Sequence, residues 1–292
     1  MSIKSILCIF GGAPHELGAL NAALSLAKSN AAQIRVLHIS PDPSAYVAAY
    51  GGEVSAVSTI MIALEKKNAE RLAKARQYVT SFTQQHQIPL DALESLVHHA
   101  TAQFLNLTGN TQTIVAAEGR LSDLIIVSKG AYATSAPNDP AFIAALFDTG
   151  RPVLLMPKAE DDVLPQWRDK TVALAWNASM EAARAMWGAM PLLKQAETLH
   201  VLTVRHPDDN VDLTGDARLV NYLEAHGLHT EIIAIAHERH GEGELALAQA
   251  RELKADLLVM GGYGHSKIRE MMLGGFTDYM LRQADIPLLI SH

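Results

Sequence analysis

Glycines cluster at two places near the end of this chain, and basic residues lie between the clusters. The first is in Met-Gly-Gly-Tyr-Gly, residues 260–264, and the second is Gly274-Gly275, which opens a predicted helix. Glycine lets a phosphate approach the main chain, and free N–H groups at a helix N-terminus bind anions with help from the helix dipole. Tight turns alone would also explain the glycines, but Lys267 and Arg269 between them favour a phosphate-binding loop.

Two common nucleotide-binding motifs do not fit this loop. It is not a Walker A loop, because no Gly-Lys-Ser/Thr ends it. It is not the Rossmann fingerprint, because Lys267 stands where the third glycine after Gly262 and Gly264 would be. The loop also follows the fourth predicted strand of its half, whereas the Rossmann glycines follow the first.

Other residues that could do chemistry have simpler interpretations. The closest histidine pairs, His98-His99 and His237-x-x-His240, lack the His-Glu-x-x-His spacing of a helical zinc site, so we expect no metal. Cys8 lies in an apolar strand, so we expect a buried structural thiol. No hydrolase motif surrounds Ser179, and we expect no catalytic residue.

The elements that would position the glycine loop occur twice along the chain. Four short apolar runs follow in the same order in each half, which indicates a tandem duplication. Runs that are apolar throughout are typical of strands buried on both faces of a parallel sheet. The runs are Ile6–Phe10, Ile34–Ile39, Asp123–Val127 and Pro152–Met156 in the first half, and Val172–Trp176, Leu199–Val204, Asp256–Met260 and Pro287–Ile290 in the second.

A fifth strand is expected in each half. In the second half it is His229–Ile235, and its first-half counterpart is expected near Leu90–Val97, where the pattern is poorly defined. Asp123 and Asp256 precede equivalent strands. Their equivalence predicts a shared structural role, such as accepting hydrogen bonds from loop N–H groups.

The halves differ in one large segment. Apolar residues from Val54 to Phe82 recur at spacings of three and four, which predicts a long amphipathic helix in the first half only. We expect this helix to cover its own sheet, and a partner-binding helix is the alternative. A charged segment, Ala159–Asp169, is the predicted linker between domains at 1–158 and 170–292.

Length and composition agree with two ordinary globular domains. The chain has 292 residues, 49% of them hydrophobic and 19% charged. Its net charge of −7 argues against a nucleic-acid partner, and no apolar run reaches the ~18 residues of a membrane span. The N-terminus lacks signal-peptide features, and the single cysteine fits a reducing compartment, so we expect a cytoplasmic protein.

The loop resembles that of the ATP-binding members of the universal stress protein family, which carry Gly-x2-Gly-x9-Gly-Ser/Thr. Gly261, Gly264 and Gly274 match this spacing, and Gly275 stands where the family has a hydroxyl residue. The resemblance covers both halves. It implies an α/β fold of two tandem Rossmann-like domains of the adenine nucleotide alpha hydrolase type, each a five-stranded parallel sheet in the order 3-2-1-4-5 with helices on both faces.

The resemblance also implies which residues meet the nucleotide. Asn177 stands where the family commonly has an aspartate at the end of the first strand, and Val204 matches a position whose backbone contacts adenine. The implied ligand is ATP or another adenine nucleotide, with or without Mg²⁺. The full set of predicted nucleotide-binding residues is Ala175, Asn177, Val204, Met260, Gly261, Tyr263, Gly264, His265, Lys267, Gly274, Gly275, Phe276 and Thr277.

The first half has lost this pattern. Ser128 and Ala131 replace two of the motif glycines, and Gly11-Gly12 offers no side chain at the end of the first strand. We therefore expect no nucleotide there. By resemblance, the first half pairs with the second as two subunits do, in an intramolecular pseudo-dimer whose final strands lie together.

These observations favour an adenine-nucleotide-binding regulatory or stress-response protein with one site and a protein partner that the sequence does not identify. The alternative is an interaction module of the same fold without a physiological nucleotide. An enzyme is the third hypothesis, and slow ATP hydrolysis stays open. The preferred nucleotide and a homodimer also stay open.

Overall fold

The computed structural model describes residues 2–40, 42, 54–91, 99–130, 139–158, 170–205, 213–237, 241–264 and 275–292. Side chains are described from residue 60 in the segment 54–91 and from residue 215 in the segment 213–237. Ten strands form one sheet in the order β3-β2-β1-β4-β5-β10-β9-β6-β7-β8. The strands of the first half are β1 (Ser5–Ile9), β2 (Gln33–Ser40), β3 (Thr101–Thr108), β4 (Leu124–Ser128) and β5 (Val153–Met156). Those of the second are β6 (Thr171–Ala175), β7 (Thr198–Arg205), β8 (Thr230–Ala236), β9 (Leu257–Gly261) and β10 (Leu288–Ser291).

Each half has the strand order 3-2-1-4-5 with parallel neighbours, as the resemblance implied. The halves join at their last strands, where β5 and β10 pair antiparallel with Leu154 opposite Leu289. This confirms that the two final strands lie together. The pairing covers an edge that each half alone would leave open to association.

Helices cover both faces of the sheet and bury the strand residues between two apolar layers. Helices α1, α2, α5 and α6 pack on one face, and α3, α4, α7 and α8 pack on the other. Their bounds are α1 Leu17–Asn30, α2 Val54–His86, α3 Thr111–Gly119, α4 Pro140–Phe147, α5 Met180–Leu193, α6 Leu213–Ala225, α7 Glu242–Glu252 and α8 Phe276–Gln283. None of the described helices is long and apolar enough to cross a membrane.

One predicted strand was misplaced. The third strand of the first half is Thr101–Thr108, not Leu90–Val97. Leu90 forms only an isolated bridge with Ala102, and residues 92–98 lie outside the described residues. β3 is at the edge of the sheet and several of its side chains are exposed, so its residues alternate instead of forming the apolar run typical of a buried strand.

Helix α2 is confirmed and extends to His86. Its C-terminal part covers the sheet through the buried side chains of Ala75, Val79 and Phe82. Nearer the N-terminus of the helix, the side chains of Ile60 and Ile62 are 54% and 67% exposed. The predicted linker, residues 159–169, lies outside the described residues.

Two smaller predictions are also confirmed. The Asp123 carboxylate accepts hydrogen bonds from the backbone N–H groups of Lys4 and Ser5 at 2.8 and 2.9 Å, and Asp256 accepts one from Thr171 at 3.0 Å. Cys8 is a fully buried free thiol, and burial raises its pKa.

Candidate functional site

A cleft of about 910 Å³ lies at the carboxyl ends of β6 and β7. The floor of the cleft begins where β6 ends. Ala178 there has a left-handed backbone conformation, with φ of 58°, and this residue turns the chain into α5. Asn177 Oδ1 accepts a hydrogen bond from the N–H of Ser179 at 3.2 Å, and Ser179 Oγ accepts one from the N–H of Ala182 at 3.1 Å. This N-cap fixes the entry of α5 and sets Asn177 at the mouth of the cleft.

The walls of the cleft are mainly apolar and aromatic. Met186 and Trp187 come from α5, and Leu219 and Tyr222 come from α6. Thr203 lines the same space, and its buried hydroxyl has no hydrogen-bond partner in the part of the chain that the structure describes. Apolar walls with a few fixed polar groups are typical of sites for small ligands with a flat ring.

An ion pair lies at the rim of the cleft. Arg205, the last residue of β7, pairs with Asp216 of α6, and both residues line the space. The pair ties α6 to the end of the strand on which Val204 lies.

The glycine turn follows β9 and packs against the start of α5. A Cβ on Gly261 would lie 2.6 Å from the backbone nitrogen of Ala182, so only glycine fits there. The turn also reaches the start of α8, where the N–H of Tyr263 donates a hydrogen bond to Thr277 Oγ1 at 3.2 Å. Gly275 is the N-cap of α8, and no described residue lies within 4 Å of the position of an added Cβ. The structure thus brings the first glycine cluster against the start of α8.

Glu181, in the first turn of α5, is a residue that the sequence analysis missed. Its side chain is buried at 5% exposure, and Oε2 has no hydrogen-bond partner among the described residues. That oxygen lies 3.4 Å from the position that a Cβ on Gly264 would take. An acidic residue in the first turn of a helix is ordinary and stabilising, so the local pattern gave no reason to single it out.

The predicted site residues fall into three groups. Asn177 and Val204 line the cleft, next to Ala175 at the end of β6. The second group forms the glycine turn and the start of α8 or packs beneath them, and comprises Met260, Gly261, Tyr263, Gly264, Gly275, Phe276 and Thr277. His265, Lys267 and Gly274 lie outside the described residues. The Tyr263 ring lies 5.3 Å from that of Phe147 in the first half, measured between centroids, so this side chain belongs to the contact between halves.

The equivalent place in the first half is occupied by α2. The N–H of Phe10 bonds to the oxygen of Leu37 as that of Trp176 does to Leu202, so Gly11 and Gly12 stand where the second half has Asn177 and Ala178. A Cβ on Gly12 would lie 2.9 Å from Arg71 O and from Ala75 Cβ. The guanidinium of Arg71 is 3.1 Å from the corresponding position on Gly11. Helix α2 therefore packs where the second half has its cleft.

Glu16 sits beneath this contact in the first half. Its carboxylate accepts a hydrogen bond from the N–H of Ala13 at 2.8 Å. Burial raises the pKa of Glu16, and this hydrogen bond and the charge of Arg71 partly offset that rise. The first half thus gives the acid at this turn a hydrogen-bond donor and a nearby cation from its own chain.

One lysine links the first half to α8 of the second. Lys129 Nζ donates hydrogen bonds to Arg282 O and Ala284 O, both at 2.9 Å. Burial lowers the pKa of Lys129 to about 8. Because these carbonyls end α8, the cation complements the helix dipole there.

Comparisons with known proteins agree with this architecture. Residues 170–292 match the model of the universal stress protein family. A universal stress protein of Synechocystis is 35% identical over 95 residues, and the matched segment spans only 31% of this chain and 31% of that relative. The structure of a universal stress protein from Archaeoglobus fulgidus covers 99% of this chain and 96% of its own at 17% identity and a TM-score of 0.70. A protein of unknown function from Pseudomonas aeruginosa covers 99% and 92% at 16% identity and a TM-score of 0.55. At these identities the two structures establish the fold.

Proposed function

We propose that the chain is a regulatory protein that binds one adenine nucleotide in the cleft of residues 170–292, the part that matches the universal stress protein family. The observation that carries the proposal is the cleft itself. It opens at the carboxyl ends of β6 and β7, where open α/β sheets bind their ligands, and the glycine turn follows β9 beside it.

The apolar part of the cleft suits the base. Trp187 and Tyr222 are exposed aromatic side chains on facing helices, and aromatic rings bind flat heterocycles by stacking or edge contact. Val204 presents its backbone at the end of β7, and the Asn177 amide offers hydrogen bonds without charge. Thr203 adds a buried hydroxyl that has no partner among the described residues.

The glycine turn and the start of α8 suit the phosphates. Among the described residues, only the Glu181 carboxyl lies near the Cβ position of Gly264 and none lies near that of Gly275. Glycine at these places lets an anion approach the main chain. The first N–H groups of α8 lie at the same place and carry the positive end of the helix dipole. Thr277 supplies a hydroxyl, although its oxygen already accepts a hydrogen bond from Tyr263.

The closed first half supports a single site. Gly12 is in van der Waals contact with α2 at the point where the second half has open space. A nucleotide could enter there only if α2 moved away, which would expose the apolar side chains of Ala75, Val79 and Phe82 at a cost in free energy.

Titration of the full chain with ADP and ATP, combined with native mass spectrometry, tests the proposal. We expect saturation at one nucleotide per chain. Two equivalent sites would contradict the closure of the first half. No binding of ADP, ATP, AMP or adenosine would contradict the proposal and favour the alternative of an interaction module.

A further inference from the structure

Glu181 is a buried acid, and one of its carboxylate oxygens has no hydrogen-bond partner among the described residues. Its side chain is 5% exposed, yet Oε2 receives no hydrogen bond from any described residue. Buried carboxylates in folded proteins are nearly always paired or hydrogen-bonded, and an exception calls for a specific explanation. The buried ammonium of Lys129, by contrast, donates to two carbonyl oxygens.

The surroundings of Glu181 indicate what that explanation is. Its Cβ and backbone carbon lie 2.8 and 2.7 Å from the position of an added Cβ on Gly261, and its Oε2 lies 3.4 Å from the corresponding position on Gly264. The carboxylate therefore lies directly against the glycine turn. In the proposed function, the phosphates of the nucleotide bind at this same turn.

A buried carboxylate and a phosphate bound at the same turn would repel each other, because burial reduces the screening of charges by water. A hard divalent cation removes the conflict, since Mg²⁺ binds through one or two carboxylates, the phosphates of the ligand and water. No cluster of three or more His, Cys, Asp or Glu side chains exists among the described residues to hold such an ion alone.

We infer that Glu181 is the protein ligand of a divalent cation that bridges it to the phosphates of the bound nucleotide. The inference rests on the proposed function. It adds Glu181 to the nucleotide site and makes the binding of a phosphorylated ligand depend on a divalent cation. The cation and the phosphorylated ligand bind together, and a ligand without phosphate needs no cation.

The first experiment measures the affinity of the full chain for ADP and for adenosine by calorimetry, with Mg²⁺ and with chelator. We expect Mg²⁺ to raise the affinity of the wild type for ADP by at least ~10-fold and to leave adenosine unchanged. In Glu181→Gln, ADP should bind more tightly than to the wild type without Mg²⁺, and Mg²⁺ should add little. The control is His15→Gln in the first half, which lies four residues after Gly11 as Glu181 lies four residues after Asn177, and it should behave as the wild type.

The second experiment uses the wild type alone and so does not depend on a variant that folds. With Mn²⁺ as the probe, electron paramagnetic resonance should show protein-bound ion in the presence of ADP and only free ion with adenosine.

Equal Mg²⁺ dependence in the wild type and Glu181→Gln, or Mn²⁺ that stays free with ADP bound, would overturn the inference while the proposed function stands. Weaker adenosine binding in Glu181→Gln would also overturn it, since Glu181 would then accept a hydrogen bond from the sugar. Failure of both ligands to bind under every condition would overturn the proposed function and the inference with it.

Discussion

Gly12 and Ala75 are packed so closely that a Cβ added to Gly12 would lie 2.9 Å from the Cβ of Ala75. This contact joins the end of β1 to the middle of α2 in the first half. The counterpart of Gly12 in the second half is Ala178, which lines the cleft. The two halves share a sheet topology. The helix that follows the second strand fills the space at the end of the first strand in one half and leaves that space open in the other.

The first prediction tests this closure. Gly12→Ala should lower the free energy of unfolding by about 2–4 kcal/mol, because it adds a steric clash to a positive φ of 86°. Urea denaturation measures the change. Gly227→Ala is the control, since its φ is 77° and nothing lies within 4 Å, so it should cost only about 1 kcal/mol. Equal losses would show that α2 yields easily and that the first half is not firmly closed.

The second prediction separates two glycines of the turn. Gly261→Ala should lower stability by about 1–3 kcal/mol, because its Cβ meets the backbone of α5. Gly264→Val should change stability less, because among the described residues only the carboxyl group of Glu181 lies near its Cβ. The valine should nevertheless weaken nucleotide binding by at least ~10-fold, about 1.4 kcal/mol. Thermal melts and calorimetric titrations of both variants provide the comparison, and unchanged affinity in Gly264→Val would mean that the loop is only a turn.

The third prediction restores a hydroxyl at the start of α8. Gly275→Ser should fold normally, because the space around its Cβ is open, and serine is a better N-cap than glycine by a few tenths of a kcal/mol. We expect the preference for ATP over AMP to rise by ~5-fold, the value of one hydrogen bond of about 1 kcal/mol. Gly275→Ala should leave the ratio of the two affinities as it is in the wild type. The same increase in the alanine variant would exclude the hydroxyl as the cause.

The fourth prediction concerns pH and Lys129. Its pKa is about 8 in the folded protein and ~10.4 in the unfolded chain, so the unfolded chain holds more protons between these values. Stability should therefore rise with pH across this window, and the penalty for burying the charge is fully present below about pH 8.

The measurement is the free energy of unfolding of the wild type relative to Lys129→Met. It should increase by about 1–2 kcal/mol from about pH 7.5 to about pH 9.5. Lys74→Met, at an exposed lysine, is the control and should show no such trend. A flat difference between the wild type and Lys129→Met would mean that the buried ammonium keeps its ordinary pKa.

Local patterns were enough to predict much of this protein. The apolar runs predicted the strands, with the misplaced β3 as the exception, and the spacing of Val54 to Phe82 predicted α2. These signals are local because side-chain periodicity depends on the conformation of a few neighbouring residues. The glycine spacing around Gly261 and Gly264 likewise identified the turn, since close backbone approach excludes any Cβ.

Tertiary structure decided what lies against each element. The amphipathic pattern of α2 indicated one buried face, but it could not show that Arg71 and Ala75 pack on Gly11 and Gly12. Nor could it show that Lys129 reaches Ala284, 155 residues away. Glu181 reads as an ordinary first-turn acid and becomes unusual only when β9 and its turn bury it. Burial and pairing depend on groups that the chain brings together from distant positions, whereas periodicity records only that a face is covered and does not identify the residues that cover it.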